Sequence, residues 1–99
     1  MFVGSGEFEL LLGDVHSLKE KRAVVRPLVA ELRRRFDVAA AETGHLDLHR
    51  RAAVGVAVVA ADAKQCGEVL DACERLVANR PELDLLSAHR QLHSSNDED

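Results

Sequence analysis

The sequence predicts a two-layer α+β domain in which two helices cover one face of a four-stranded antiparallel sheet. Three observations carry that expectation. Strand-type alternation and helix-type periodicity follow one another in the order strand, helix, strand, strand, helix, strand. The segment Ala52 to Ala60 is almost wholly apolar, as a strand inside a sheet must be. Both helical segments are apolar along one stripe only, so each has a single face to bury. Ninety-nine residues fit one such unit with one core and leave no room for a second.

From Phe2 to Leu12 the chain alternates, with Phe2, Phe8, Leu10 and Leu12 on one side and Ser5, Glu7 and Glu9 on the other. Gly13 and Asp14 break the strand, and Ser17 with Glu20 forms a capping box that opens a helix near Leu18. Steps of 100° gather Leu18, Val25, Leu28, Val29, Leu32 and Phe36 into one arc. Pro27 removes a backbone donor within that helix, so a kink or a restart is expected there. A second strand is expected over Asp37 to Thr43 and a polar loop over Gly44 to Arg51. Asp62 caps a second helix with the stripe Cys66, Val69, Leu70, Cys73, Leu76 and Val77, which Arg80 and Pro81 end. Leu83, Leu85 and Leu92 outline a last strand, and the domain is expected to close at residue 93, with Ser94 to Asp99 as an acidic disordered tail. Right-handed crossovers fold this order into the ferredoxin-like arrangement, with the first and third strands central.

Composition narrows the function. Hydrophobic residues make up 46% of the chain and charged residues 30%, and only Phe2, Phe8 and Phe36 are aromatic. The opening MFVGSGEFEL has neither a basic leader nor a cleavage site after an apolar run, and no apolar stretch reaches membrane-spanning length, so a cytoplasmic protein is expected. Cys66 and Cys73 stand about 10 Å apart along one helix face, too far for a disulfide, and read as buried thiols.

The opening strand, the run SLKEKR at Ser17 to Arg22, the pair Asp47-Leu48 and the strand AVGVAVV at Ala53 to Val59 resemble the YlxP-like bacterial family of unknown function. The resemblance covers about residues 2 to 92 and implies a small cytoplasmic ferredoxin-like protein. The resemblance further implies a gene that often lies among those for translation initiation and ribosome maturation, and it implies no activity. Family members usually carry an aromatic residue soon after the Asp-Leu pair, where this chain has His49.

Charge supplies the main candidate site. Ser17 to Phe36 holds seven of the thirteen Lys and Arg residues against Glu20 and Glu31, inside a chain of net charge -4. Lys19, Arg22, Arg26 and Arg33 fall within a stripe of about 60° that runs about 21 Å. With Arg50 and Arg51 they are the candidate contacts to structured RNA or a ribosomal particle, made to the phosphate backbone without reading bases or any DNA sequence. The same row suits a solvated helix flank. Base stacking on the sheet is not expected, because the central strands present Ser5, Glu7, Glu9, Ala53, Gly55, Ala57 and Val59 on the open face and no aromatic ring.

That open face carries the alternative, a homodimeric interaction module or a small-ligand site, with Ala53, Gly55, Ala57 and Val59 as contacts. His45, Asp47 and His49 alternate as H-x-D-x-H, a spacing that could ligate a transition metal but more simply reads as hydrated loop residues. No metal and no cofactor are expected. A phosphate-gripping Arg is missing from Gly13 to Ser17, there is no glycine-rich phosphate loop and no Cys-x-x-Cys pair, and His16 beside Asp14 reads as solvated. The expectation is a non-catalytic accessory binding protein.

Overall fold

The computed structural model describes residues 1–95, with the elements in the predicted order: β1 (Phe2–Leu12), α1 (Leu18–Phe36), β2 (Ala39–Gly44), β3 (Arg51–Ala60), α2 (Ala63–Ala78) and β4 (Leu83–Ser94). The strands lie in the order β2-β3-β1-β4, every neighbouring pair antiparallel, with both helices on one face. This is the ferredoxin-like α+β fold.

Alternation in β1 sets the two faces of the sheet. Phe8, Leu10 and Leu12 are fully buried toward the helices, while Ser5, Glu7 and Glu9 stand on the open side. The register places Phe8 between Val54 and Ala88, and Leu10 between Ala52 and Leu85, so the central strands share one apolar layer. Leu28 and Leu32 of α1 and Cys66, Cys73 and Val77 of α2 close it from above. Each large aliphatic side chain buried there contributes about 1.5–3 kcal/mol. Gly4 lets α2 come down onto β1, since a Cβ there would lie 3.2 Å from both Cys66 Cβ and Leu70 Cδ1. Cys66 and Cys73 are buried and unpaired, and burial pushes the Cys73 thiol up to about 11 despite the pull of the Arg90 charge.

Four local features differ from the expectation. The Ser17 hydroxyl accepts the Glu20 N–H at 3.1 Å, but the Glu20 carboxylate reaches back to the N–H of His16 rather than to that of Ser17. Helix α1 does not restart at Pro27. The missing bond would run to the carbonyl of Ala23, and both residues are exposed, so that carbonyl is open to solvent and the helix runs on. Asp37 does not open β2: it ends α1 in the left-handed conformation (φ 54, ψ 46), a backbone that aspartate tolerates and a strand excludes. Finally, β4 continues through Ser94, where a tail was expected to begin, and the Ser95 N–H bonds the Met1 carbonyl at 3.0 Å. The rest of that expected tail, 96–99, lies outside the described residues. Among the described residues no helix is long and apolar enough to cross a membrane.

Candidate functional site

The seven cations of Ser17 to Phe36 separate into two groups. Lys21 is 2% exposed and points inward, where its Nζ donates to the His45 carbonyl at 2.6 Å. Glu42 Oε2 lies 2.8 Å from the same Nζ without the alignment of a hydrogen bond, so that attraction is ionic. Arg33 lays its guanidinium on β2, with both Nε (2.9 Å) and an Nη donating to the Ala40 carbonyl. Arg35 pairs with Glu31 at 3.2 Å and stands 5.5 Å from the centre of the Phe36 ring.

The remaining four, Lys19, Arg22, Arg26 and Arg34, are exposed and make no bond or ion pair among the described residues. At 100° per residue they share an arc of about 140° with Ala23, Pro27, Ala30 and the backbone of Arg33, whose guanidinium is turned onto β2, and no acidic side chain falls inside it. The result is an outward face of four free cations set among small residues. Arg34 lies outside the stripe of about 60° beside the apolar arc and nearer the middle of the polar arc.

Arg50 and Arg51 do not extend this face. The Arg50 Nε donates to the carbonyls of Leu12 and Gly13, both at 3.1 Å, which ties the β2–β3 connection to the end of β1. Arg51 lies on the other face of the sheet from Arg33: it points to the open face and donates to Glu9 Oε1 at 3.2 Å.

That open face is laced across its strands. The Thr43 hydroxyl donates to Glu7 Oε2 at 2.7 Å, passing over Gly55, where a Cβ would come within 2.8 Å of Thr43 Cγ2. His45 Nε2 donates to the same Glu9 oxygen as Arg51, at 2.7 Å. The His45 hydrogen bond holds the Glu9 carboxyl below the usual range, against the opposing effect of burial and with further help from the charges of His45 and Arg51. Next to this polar end lies a trough of about 500 Å³, lined by Ser5, Ala39, Ala41, Gly55 and Ala57 and bordered by Gln91. Of the expected contacts on β3, Gly55 and Ala57 line the trough and Val59 is 65% exposed, but Ala53 is 2% exposed beside Gly44 and Glu9 and offers no surface.

His45 is thus committed to Glu9, whereas Asp47 and His49 are exposed, and the H-x-D-x-H run is not gathered into a ligand set. Among the described residues no group of three or more His, Cys, Asp or Glu side chains could hold a metal ion. His16 and Asp14 meet at 2.7 Å, both largely exposed, at the start of α1.

Comparison with known proteins agrees with this architecture. The solved structure of SnoaB, a cofactor-independent oxygenase from Streptomyces nogalater, matches with a TM-score of 0.52 over 96% of this chain and 94% of that one, at 9% sequence identity, a likeness of fold alone. An uncharacterized protein of Bacillus subtilis, YlxP, is 30% identical over 82 residues, covering 83% of this chain and 89% of that protein. Residues 3–90 match the model of a family described as a protein of unknown function, DUF503. On both the extent of that match and the identity to YlxP, the chain belongs to the DUF503 family.

Proposed function

We propose that this protein is a non-catalytic accessory binding protein that holds structured RNA, free or within a ribosomal particle, by its phosphate backbone along the outward face of α1. The observation that supports this reading is the set Lys19, Arg22, Arg26 and Arg34: four exposed cations with no partner among the described residues, on an arc free of acidic side chains. From Lys19 to Arg34 the face runs about 22 Å, long enough to follow several phosphates. Ala23, Pro27 and Ala30 keep the surface between the cations low, so a sugar-phosphate chain can approach the helix. Arg33, Arg50 and Arg51 have internal acceptors and serve the fold instead.

The test is retention of duplex RNA and of ribosomal particles at low and moderate salt. Four phosphate contacts give a slope of log affinity against log salt of about -3. Changing Lys19, Arg22, Arg26 and Arg34 together to Glu is expected to abolish retention and its salt dependence. Undiminished retention by that variant overturns the reading.

A second reading uses the trough on the open sheet face, whose small-residue lining suits a flat apolar ligand or a partner's side chains. Amide shifts at Ser5 and Ala57 on titration with aromatic fragments, without shifts on α1, would favour it.

A further inference from the structure

β4 has twelve residues and pairs only with β1, so among the described residues no strand covers its outer edge. Such an edge presents a row of backbone donors and acceptors to any second strand. Its usual protections are few. LDLLSAHRQLHS contains no Pro and no Lys, its bulge lies opposite Glu9 and Leu10 toward the start of the strand, and Arg90 is drawn onto α2 by Asp71 (2.7 Å) and Glu74 (3.1 Å).

Beside this edge α2 and β4 form a groove of about 200 Å³ lined in part by Cys66, Gly67, Leu70 and Leu92. Gly67 sits inside α2, where glycine weakens a helix relative to alanine. A Cβ built on it meets nothing within 4 Å. Packing inside the chain therefore gives no reason for glycine at this position. Room kept for a group from outside does, and Leu92, 51% exposed, stands at the rim.

We propose that β4 pairs antiparallel with β4 of a second copy of this chain, giving a continuous eight-stranded sheet in which Leu92 and the Gly67 groove of each copy pack around the two-fold axis. A two-fold interface brings the same patch together from both sides, so a groove and a leucine that adjoin on one copy meet their own counterparts. The other edge strand, β2, has six residues and an acceptor already taken by Arg33, so pairing stops at two copies instead of running on as a fibre. A foreign peptide on the β4 edge would satisfy the backbone but would bring no second groove.

Light scattering on the eluted full chain tests this. The expected mass is twice 10.8 kDa. Gly67→Glu enters open space and leaves the fold intact by far-UV circular dichroism, yet it fills the groove and is expected to weaken the dimer at least tenfold. Leu92→Glu is expected to do the same, and Ala57→Glu on the open face to leave the mass at two chains. A wild-type chain that stays monomeric to about 1 mM overturns the proposal. So does a dimer that survives Gly67→Glu unchanged, or one that Ala57→Glu alone dissolves. Should Leu92→Glu fail to fold, amide exchange in the wild type decides: among residues 87–91, protection that rises with concentration at the alternate amides facing away from β1 supports the interface, and fast exchange of those amides at every concentration removes it.

Discussion

The two edges of the sheet are finished by different means. At β2 the strand is short and charged groups fasten it from both faces: Arg33 and Lys21 reach down from α1, while Thr43 and His45 reach across the open face to Glu7 and Glu9. At β4 the strand is twice as long, most of its side chains are exposed, and Arg90 is the single charged side-chain tie to the helix above it among the described residues. One edge is closed by side chains and the other is left to its backbone. The difference bears on function, because basic residues that close the β2 edge are withdrawn from any polyanion. Counting the charges of α1 therefore overstates the field that a partner meets.

Lys21 offers the hardest test of this contrast. Replacing it with Met leaves the Glu42 carboxylate without its cation and the His45 carbonyl without its donor, an expected loss of about 3 kcal/mol. Arg90→Met on the other side breaks two more exposed pairs, for which less than about 1 kcal/mol is expected. Urea unfolding of the two variants measures both losses. Equal losses would mean that the edges are not held differently, and the comparison would fail.

Lys21 also marks the limit of what the sequence discloses. The alternation of β1, the stripe of α2 and the two-sided apolarity of β3 fixed the topology, because each pattern reports a face and faces are local. Lys21 belongs to SLKEKR and carries the same charge as Lys19 and Arg22, yet it lies on the buried side of the helix. Helical phase alone places it within the apolar arc, between Leu28 and Leu32, but its acceptors are the His45 carbonyl and Glu42, more than twenty residues away. Arg33, Arg50 and Arg51 hide their roles in the same way, since backbone carbonyls and Glu9 meet them only after the sheet has formed. Arg34 was legible, because the solvent face of the wheel contains it. The extent of β4 was less so, as a strand exposed along most of its length gives no clean alternation.

Arg33 turns the comparison into an assembly experiment. Arg33→Ala removes two charge-assisted bonds to Ala40 and is expected to cost about 1–2 kcal/mol. It also returns a free acceptor to the β2 edge, so a protein with one open edge becomes a protein with two. Sedimentation velocity is expected to show species larger than those of the wild type, growing with concentration. A variant that loses stability while its mass distribution stays the same would show that strand length, not Arg33, protects this edge.

The smallest expected effect concerns Glu9, the carboxylate that joins β1 to His45 and Arg51 on the open face. Its folded pKa lies below the ordinary 4.5, so folding favours the ionised form. The resulting stability is fully present above 4.5 and is lost as the pH falls through the lower folded value. Both cations are partly exposed and solvent screens the pairs, which keeps the contribution under about 1 kcal/mol. Glu9→Gln has no ionised form to lose, so its unfolding free energy should fall less steeply than that of the wild type between about pH 5 and pH 3. Parallel slopes would show that Glu9 is not held low. If the slopes differ, amide protection factors, corrected for the intrinsic pH dependence of exchange, should fall in β2 before β4 as the pH falls, because acid undoes a charged tie on the open face at the first edge, whereas among the described residues the carboxylates that tie β4, Asp71 and Glu74, lie on the helix side.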